Sequence, residues 1–149
     1  MGLDMYLLKG KRIPKRSFKD IKYDQEVGYW RKANAIHKYF VDNVQKGYDD
    51  QGVYHVTKTT LRQLLVYCEK VKANSELVER KLLDGNTVKV IKDSYFAEQY
   101  LPTQDGFFFG STKYDEWYLE NIDNTIKIIK DVLANTDFTK EAVAYHAWW

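Results

Sequence analysis

Apolar and polar residues along the chain follow two different periods, and the switches between them predict the elements. Leu3, Met5 and Leu7 alternate with Asp4 and Tyr6, which predicts a strand over 3–8 with the two polar side chains on one face. From 27 to 45 the spacing turns helical. On a wheel of about 100° per residue, Phe40, Ala33, Val44, His37, Trp30 and Val41 share one face. Gly47 and the DDQG of 49–52 end that helix, and VYHVT at 53–57 alternates as a short strand. A second helix over 59–73 carries Leu61, Leu64, Leu65, Cys68 and Val71 as its stripe, with Thr60 and Gln63 in capping-box spacing.

Asn74 or Ser75 is placed to cap a short helix over 75–83, and Asp84-Gly85-Asn86 is a strong turn signal. TVKVIK at 87–92 alternates as an exposed strand, and SYFAEQYL at 94–101 reads as a helical turn or two before Pro102. The last helix, 113–134, puts Tyr114, Tyr118, Ile122, Thr125, Ile129 and Val132 opposite Glu116, Glu120, Asp123, Lys127 and Asp131. Trp117 leaves that stripe and is expected against the preceding GFFFGST turn. VAYHAWW at 143–149 alternates as a closing strand. The order predicts an α+β fold, with a small antiparallel sheet that includes the N- and C-terminal strands and packs against three to four helices. A single domain over 1–149 fits the length, with an inserted hairpin or lobe at 84–98.

Composition changes this picture in three places. With one cysteine, Cys68, no intramolecular disulfide forms, and its place in an apolar stripe makes it a buried thiol. No apolar run approaches the roughly 20 residues of a membrane span, and MGLDMYLLKGKR lacks the basic-then-apolar order of a signal peptide. A cytoplasmic protein with no membrane partner is expected. The net charge of +2 hides an asymmetry, because Lys9 to Lys19 (KGKRIPKRSFK) holds six basic residues and no acid. That run is either a solvated connection or a contact for nucleic acid or another polyanion.

The candidate chemistry starts at His37 and Asn34, two hydrogen-bonding side chains on or beside an apolar helix face. Leaving either without a partner would cost on the order of 1–3 kcal/mol, so backbone, water or a guest molecule must meet them. One reading is an internal bond to the sheet. The other is a small-molecule pocket in which Trp30 offers a flat ring, Arg31 a flanking charge, and Asn34 and His37 polar contacts. If their strand face looks inward, Asp4 holds His37 in one tautomer and Tyr6 lies beside it. GFFFGST supplies a second candidate: Ser111 or Thr112 is placed to cap the last helix, and Gly110 would admit a phosphate, while Asp115 and Glu116 oppose one. The ligand-binding set is therefore Trp30, Arg31, Asn34, His37, Ser111, Thr112, Asp4 and Tyr6. The three histidines are scattered and one cysteine completes no ligand set, so no metal or cofactor is implied. P-loop, GxSxG and Rossmann signatures are missing. No catalytic residue is assigned, and a non-enzymatic role is the leading expectation. An enzyme with His37 as base and Asp4 as its orienter stays open.

The blocks MGLDMYL, GYWRKANAIHKYFVDNV and LPTQDGFFFGSTKYDEWY together resemble a family of short proteins encoded by bacteriophages and prophages. Some members carry a phosphoglycerate kinase label, although this chain is too short for a two-lobed kinase and has no nucleotide-binding loop. The segment 84–98 and the basic run 9–19 depart from the family pattern. The resemblance implies an accessory protein acting inside an infected bacterium. Three uses follow as expectations: binding a small, nucleotide-like ligand to counter host defence; docking on a host protein or a second copy through Tyr39, Trp117, Tyr118 and the aromatic tail; or binding nucleic acid through Lys9–Lys19.

Overall fold

Which side of the sheet is interior is decided within the first eight residues. In the computed structural model, which describes residues 2–149, Leu3, Met5 and Leu7 have no exposure, while Asp4 and Tyr6 stay half-buried on the other face. They belong to β1 (Asp4–Lys11) or, for Leu3, directly precede it. β6 (Glu141–Trp148) runs antiparallel beside β1, from Asp4 opposite Trp148 to Lys11 opposite Glu141. The first and last strands thus form the centre of one antiparallel sheet, flanked by β2 (Gln25–Arg31) and β3 (Val53–Val56) in the order β2-β1-β6-β3. Val143, Tyr145 and Ala147 join the β1 side chains on the covered face.

Four helices cover that face or pack on those that do: α1 (Asn34–Asn43), α2 (Lys58–Ala73), α3 (Tyr95–Tyr100) and α4 (Glu116–Asn135). α2 and α4 pack together through the stripes read from the sequence, Leu61, Leu64, Cys68 and Val71 against Tyr118, Ile122, Ile129 and Val132. Cys68 is a fully buried thiol whose pKa burial raises. Gly28 in β2 lets α4 come close, since a Cβ there would lie 2.6 Å from the Ile128 side chain. Thr57, not Thr60, caps α2 by accepting from the Thr60 amide at 3.1 Å, and Gln63 instead accepts a bond from the Tyr39 hydroxyl.

One expected helix begins as a strand, and another is a strand. Residues 27–31 belong to β2, which pairs with β1 from Arg31 opposite Asp4 to Gln25 opposite Lys9. Only 34–43 is helical, and the break is Lys32, whose φ of 54° no helix or strand continues. The segment expected as a helix over 75–83 contains β4 (Leu77–Lys81), which folds back on β5 (Thr87–Ile91) as a separate two-stranded ribbon. The Asp84-Gly85-Asn86 turn drives this: Gly85 takes a φ of 87° and Leu82 accepts its amide at 3.0 Å. The hairpin expected at 84–98 therefore spans 77–91. Its base is anchored by Ile91, buried, with its amide on the Tyr114 carbonyl at 3.0 Å. Among the described residues, no helix is long and apolar enough to cross a membrane.

Candidate functional site

His37 and Asn34, the two polar groups on the inner side of α1, are both matched by the chain itself. His37 is almost wholly buried, with Nδ1 2.6 Å from the Tyr145 hydroxyl and Nε2 2.9 Å from Asp49 Oδ1. Burial holds the Tyr145 pKa well above its ordinary value, so Tyr145 keeps its proton. An ionised carboxylate only accepts, so the arrangement that satisfies both contacts has the hydrogen on Nε2, given to Asp49, and Nδ1 accepting from Tyr145. Burial also lowers the His37 pKa, with the Asp49 charge opposing, so the ring is neutral near pH 7. Phe109 meets the imidazole edge-on at 5.2 Å. A hollow of about 210 Å³ reaches His37 beside Asp49 and Gln104, but both ring nitrogens are already bonded.

Asn34 is a clamp. Its Nδ2 donates to the carbonyls of Phe109 at 3.0 Å and Ser111 at 2.9 Å, and its Oδ1 accepts the Gln104 amide at 2.9 Å. One buried amide thereby holds both ends of the 104–111 loop against α1. The expectation that a guest meets these two side chains is corrected accordingly.

The sheet explains the next corrections. Trp30 lies on β2 with its ring in the core, 1 % exposed, and donates Nε1–H to Thr125 at 2.8 Å, so it offers no surface to a ligand. Asp4 and Tyr6 face away from α1, across the sheet from His37. Asp4 accepts a bond from the Tyr29 hydroxyl and pairs with Arg31 at 3.3 Å, while Tyr6 packs between Tyr29 and His146. Asp4 therefore does not orient His37; Asp49 holds that place. Neither Ser111 nor Thr112 caps the last helix. Asp115 does, accepting from the Tyr118 amide at 3.1 Å, while the Ser111 hydroxyl accepts from Lys113 and the Thr112 carbonyl from Thr103.

Arg31, Asn34 and Ser111 do come together, on one wall and floor of a cleft of about 290 Å³. It opens where β2 passes into α1, facing Gly110 to Lys113 and the first two turns of α4. Lys32 and Lys113 add two cations, Trp117 supplies a ring that is 65 % exposed, and Asn121 contributes an amide. α1 begins in this cleft with Ala33 at its cap position and no side-chain bond to its first turn, so the partial positive charge of the helix end faces the same space. Gly110 permits the close wall: at φ 85° its position for a Cβ lies 3.1 Å from the Lys32 side chain. Asp115 is the acid in the lining, and it is engaged as the α4 cap.

Lys32, Lys113 and Asn121 had no periodic signal to mark them, and Trp117 stood out only as a residue off its stripe. Asp49 was visible only as part of a turn. Of the expected docking anchors, Tyr39 and Tyr118 are buried and their hydroxyls donate to the carbonyls of Thr60 and Leu101, whereas Trp117 and Trp148 are exposed. The basic run also divides. Lys9 is buried, donating to the Asn135 carbonyl at the end of α4 and pairing with Glu141, and Arg12 donates to the Phe138 carbonyl at 2.8 Å; the other four cations are exposed. Among the described residues, no three His, Cys, Asp or Glu gather as a metal site requires. No family model, curated protein or solved structure matches the chain.

Proposed function

We propose that the protein is a non-enzymatic binder of a small anionic ligand of about mononucleotide size, held in the cleft between the β2–α1 junction and the start of α4. The observation that carries this reading is the convergence of Lys32 and Lys113 with the uncapped end of α1 around a cavity rimmed by the Trp117 ring, with Arg31, charge-paired to Asp4, in its wall. Cations and a helix N-terminus favour phosphate; an exposed indole favours a flat heterocycle. A volume of about 290 Å³ lies at the lower end of small-molecule sites, which points to a single nucleotide rather than a larger cofactor. Lys32 strengthens the reading: a lysine held at φ 54° costs about 1 kcal/mol relative to a relaxed backbone, a strain that recurs at functional positions.

In an infected bacterium, the setting implied by the phage resemblance, holding such a ligand would withdraw it from a host defence signal. The test is titration of the intact protein with a panel of nucleoside mono-, di- and triphosphates, followed by tryptophan fluorescence and calorimetry. Binding that falls by about tenfold in Lys113→Ala, a loss of about 1.4 kcal/mol, with the fluorescence change lost in Trp117→Phe, supports the proposal. Heats indistinguishable from dilution for every nucleotide at millimolar concentration would overturn it.

A further inference from the structure

On the opposite side of the fold, away from the cleft, the loop after β1 and the turn before β6 enclose an open groove of about 710 Å³. Lys11, Arg12, Lys15 and Arg16 line one wall, Lys140 the other, and no described acidic residue lines it. Of the acids close in sequence to the lining, Glu141 pairs with Lys9 and Asp137 accepts from the amide and hydroxyl of Thr139 at 3.0 and 2.6 Å, while Asp20, between Phe18 and Ile21, is exposed outside the lining. Arg12 is held in place. Its guanidinium donates to the Phe138 carbonyl and lies 5.0 Å over the Phe18 ring, which is itself stacked on His55 at 3.5 Å.

Backbone geometry adds an independent observation. The Arg16 amide donates to the Ile13 carbonyl at 3.1 Å, closing a turn with Pro14 second and Lys15 third, and Lys15 has a φ of 64°. That is the pattern of a type II turn, whose third residue is ordinarily glycine or asparagine. A lysine in that position places a cation at the tip of a rigid corner, against its own backbone preference.

We propose that this groove binds the phosphodiester backbone of a nucleic acid. A row of cations on facing walls suits a polymer with a regularly repeated negative charge, and a concave floor suits a strand better than a bilayer plane. The sequence Lys9–Lys19 is refined by this geometry: Lys9 faces the core, Lys19 lies outside the lining, and Lys140, distant in sequence, joins the site.

The experiment is fluorescence anisotropy with a labelled oligonucleotide of about 12 residues, single-stranded or duplex, titrated with the full chain between about 20 and 200 mM salt. Five phosphate contacts predict a slope of log Kd on log salt of about 3.5 for a single strand and about 4.5 for a duplex, and the tighter of the two at one salt concentration identifies the form the groove takes. Lys15→Gly relieves the turn, so its melting temperature is expected to hold or rise while the slope falls by about 0.7 to 0.9 and affinity drops severalfold. Lys32→Gly, in the cleft, is expected to leave the slope unchanged, which separates this site from the nucleotide reading. The proposal is overturned by an absence of binding at the lowest salt, by a slope unmoved in the Lys15→Gly, Lys140→Ala double variant, or by tighter binding to phosphatidylglycerol vesicles than to either oligonucleotide.

Discussion

Replacing Asn34 with alanine removes one buried side chain and three hydrogen bonds, two to carbonyls of the 104–111 loop and one from the Gln104 amide. Each such bond is worth about 1 kcal/mol net, and a buried group left unmatched costs about 1–3 kcal/mol. Water can reach the Gln104 and Ser111 ends of the loop, where neighbouring residues are exposed, but less readily the Phe109 carbonyl beside its buried ring. The expected loss is therefore about 3 kcal/mol. For a chain of this length that lowers the melting temperature by about 6–12 °C. Thermal circular dichroism reads the total. Hydrogen exchange by mass spectrometry reads its location, with protection lost in peptides covering 102–113 and retained in α2 and β6. Asn34→Asp sharpens the test, because it keeps an acceptor for Gln104 while turning a carboxylate toward two carbonyl oxygens. It should be at least as damaging at pH 7 and partly rescued in acid, where the protonated carboxyl donates again. Nucleotide binding should fail in both variants, since the loop supplies Gly110 and Ser111 to the cleft. A melting temperature within about 2 °C of the parent, with loop protection intact, would refute the clamp.

The remaining predictions concern strain, burial and charge. Lys32→Gly should raise stability by about 0.5–1 kcal/mol in urea melts, by relieving the left-handed backbone, while weakening nucleotide affinity; lower stability would remove the strain argument. Trp30→Phe leaves Thr125 without its indole partner and opens a void against Phe40, an expected loss of about 2 kcal/mol measured by chemical denaturation. Lys9→Ala uncovers the Asn135 carbonyl and should destabilise by about 1–2 kcal/mol, with fraying of the last turn of α4 visible in hydrogen exchange. Burial depresses the pKa values of both His37 and His55, so the unfolded chain binds more protons in mild acid. Their contribution to stability is full above about pH 6.5 and is lost as pH falls through the folded values, so the melting temperature should decline from pH 7 to pH 5. The decline should flatten in His37→Gln and His55→Gln, and an unchanged slope in both would contradict the assignment.

The sheet's central strands were legible because their alternation is local: LDMYLL and VAYHAWW each show it within eight residues. The α2 and α4 stripes were legible for the same reason, being dense enough to survive any tertiary context. β2 was not, because Trp30, Ala33 and His37 all point inward and so mimic one helical face across a strand-to-helix junction. What distinguishes them is pairing with β1 and the backbone of Lys32, neither visible in a local window. LVERK, in which every residue but Val78 suits a helix, became β4 because the Asp-Gly-Asn turn gave it a partner. At the site, the sequence singled out His37 and Asn34 as needing partners. It could not supply them, because Tyr145 lies 108 positions from His37 and Phe109 lies 75 from Asn34. Half of the cleft depends on surface cations, whose placement is decided by loops.

The placement of β6 between β1 and β3 sets an order of events in time. On the ribosome, β1, β2 and all four helices emerge before residues 141–148, yet β3 has no neighbour in the sheet except β6. Until that stretch arrives, the inner edges of β1 and β3 stay unpaired and His37 and Phe40 of α1 lack the Tyr145 ring they pack on, a condition that invites chaperone capture. Completion of the interior therefore waits for Val143, Tyr145 and Ala147, and nascent chains arrested ahead of them should be protease-sensitive throughout, not merely at the ragged end.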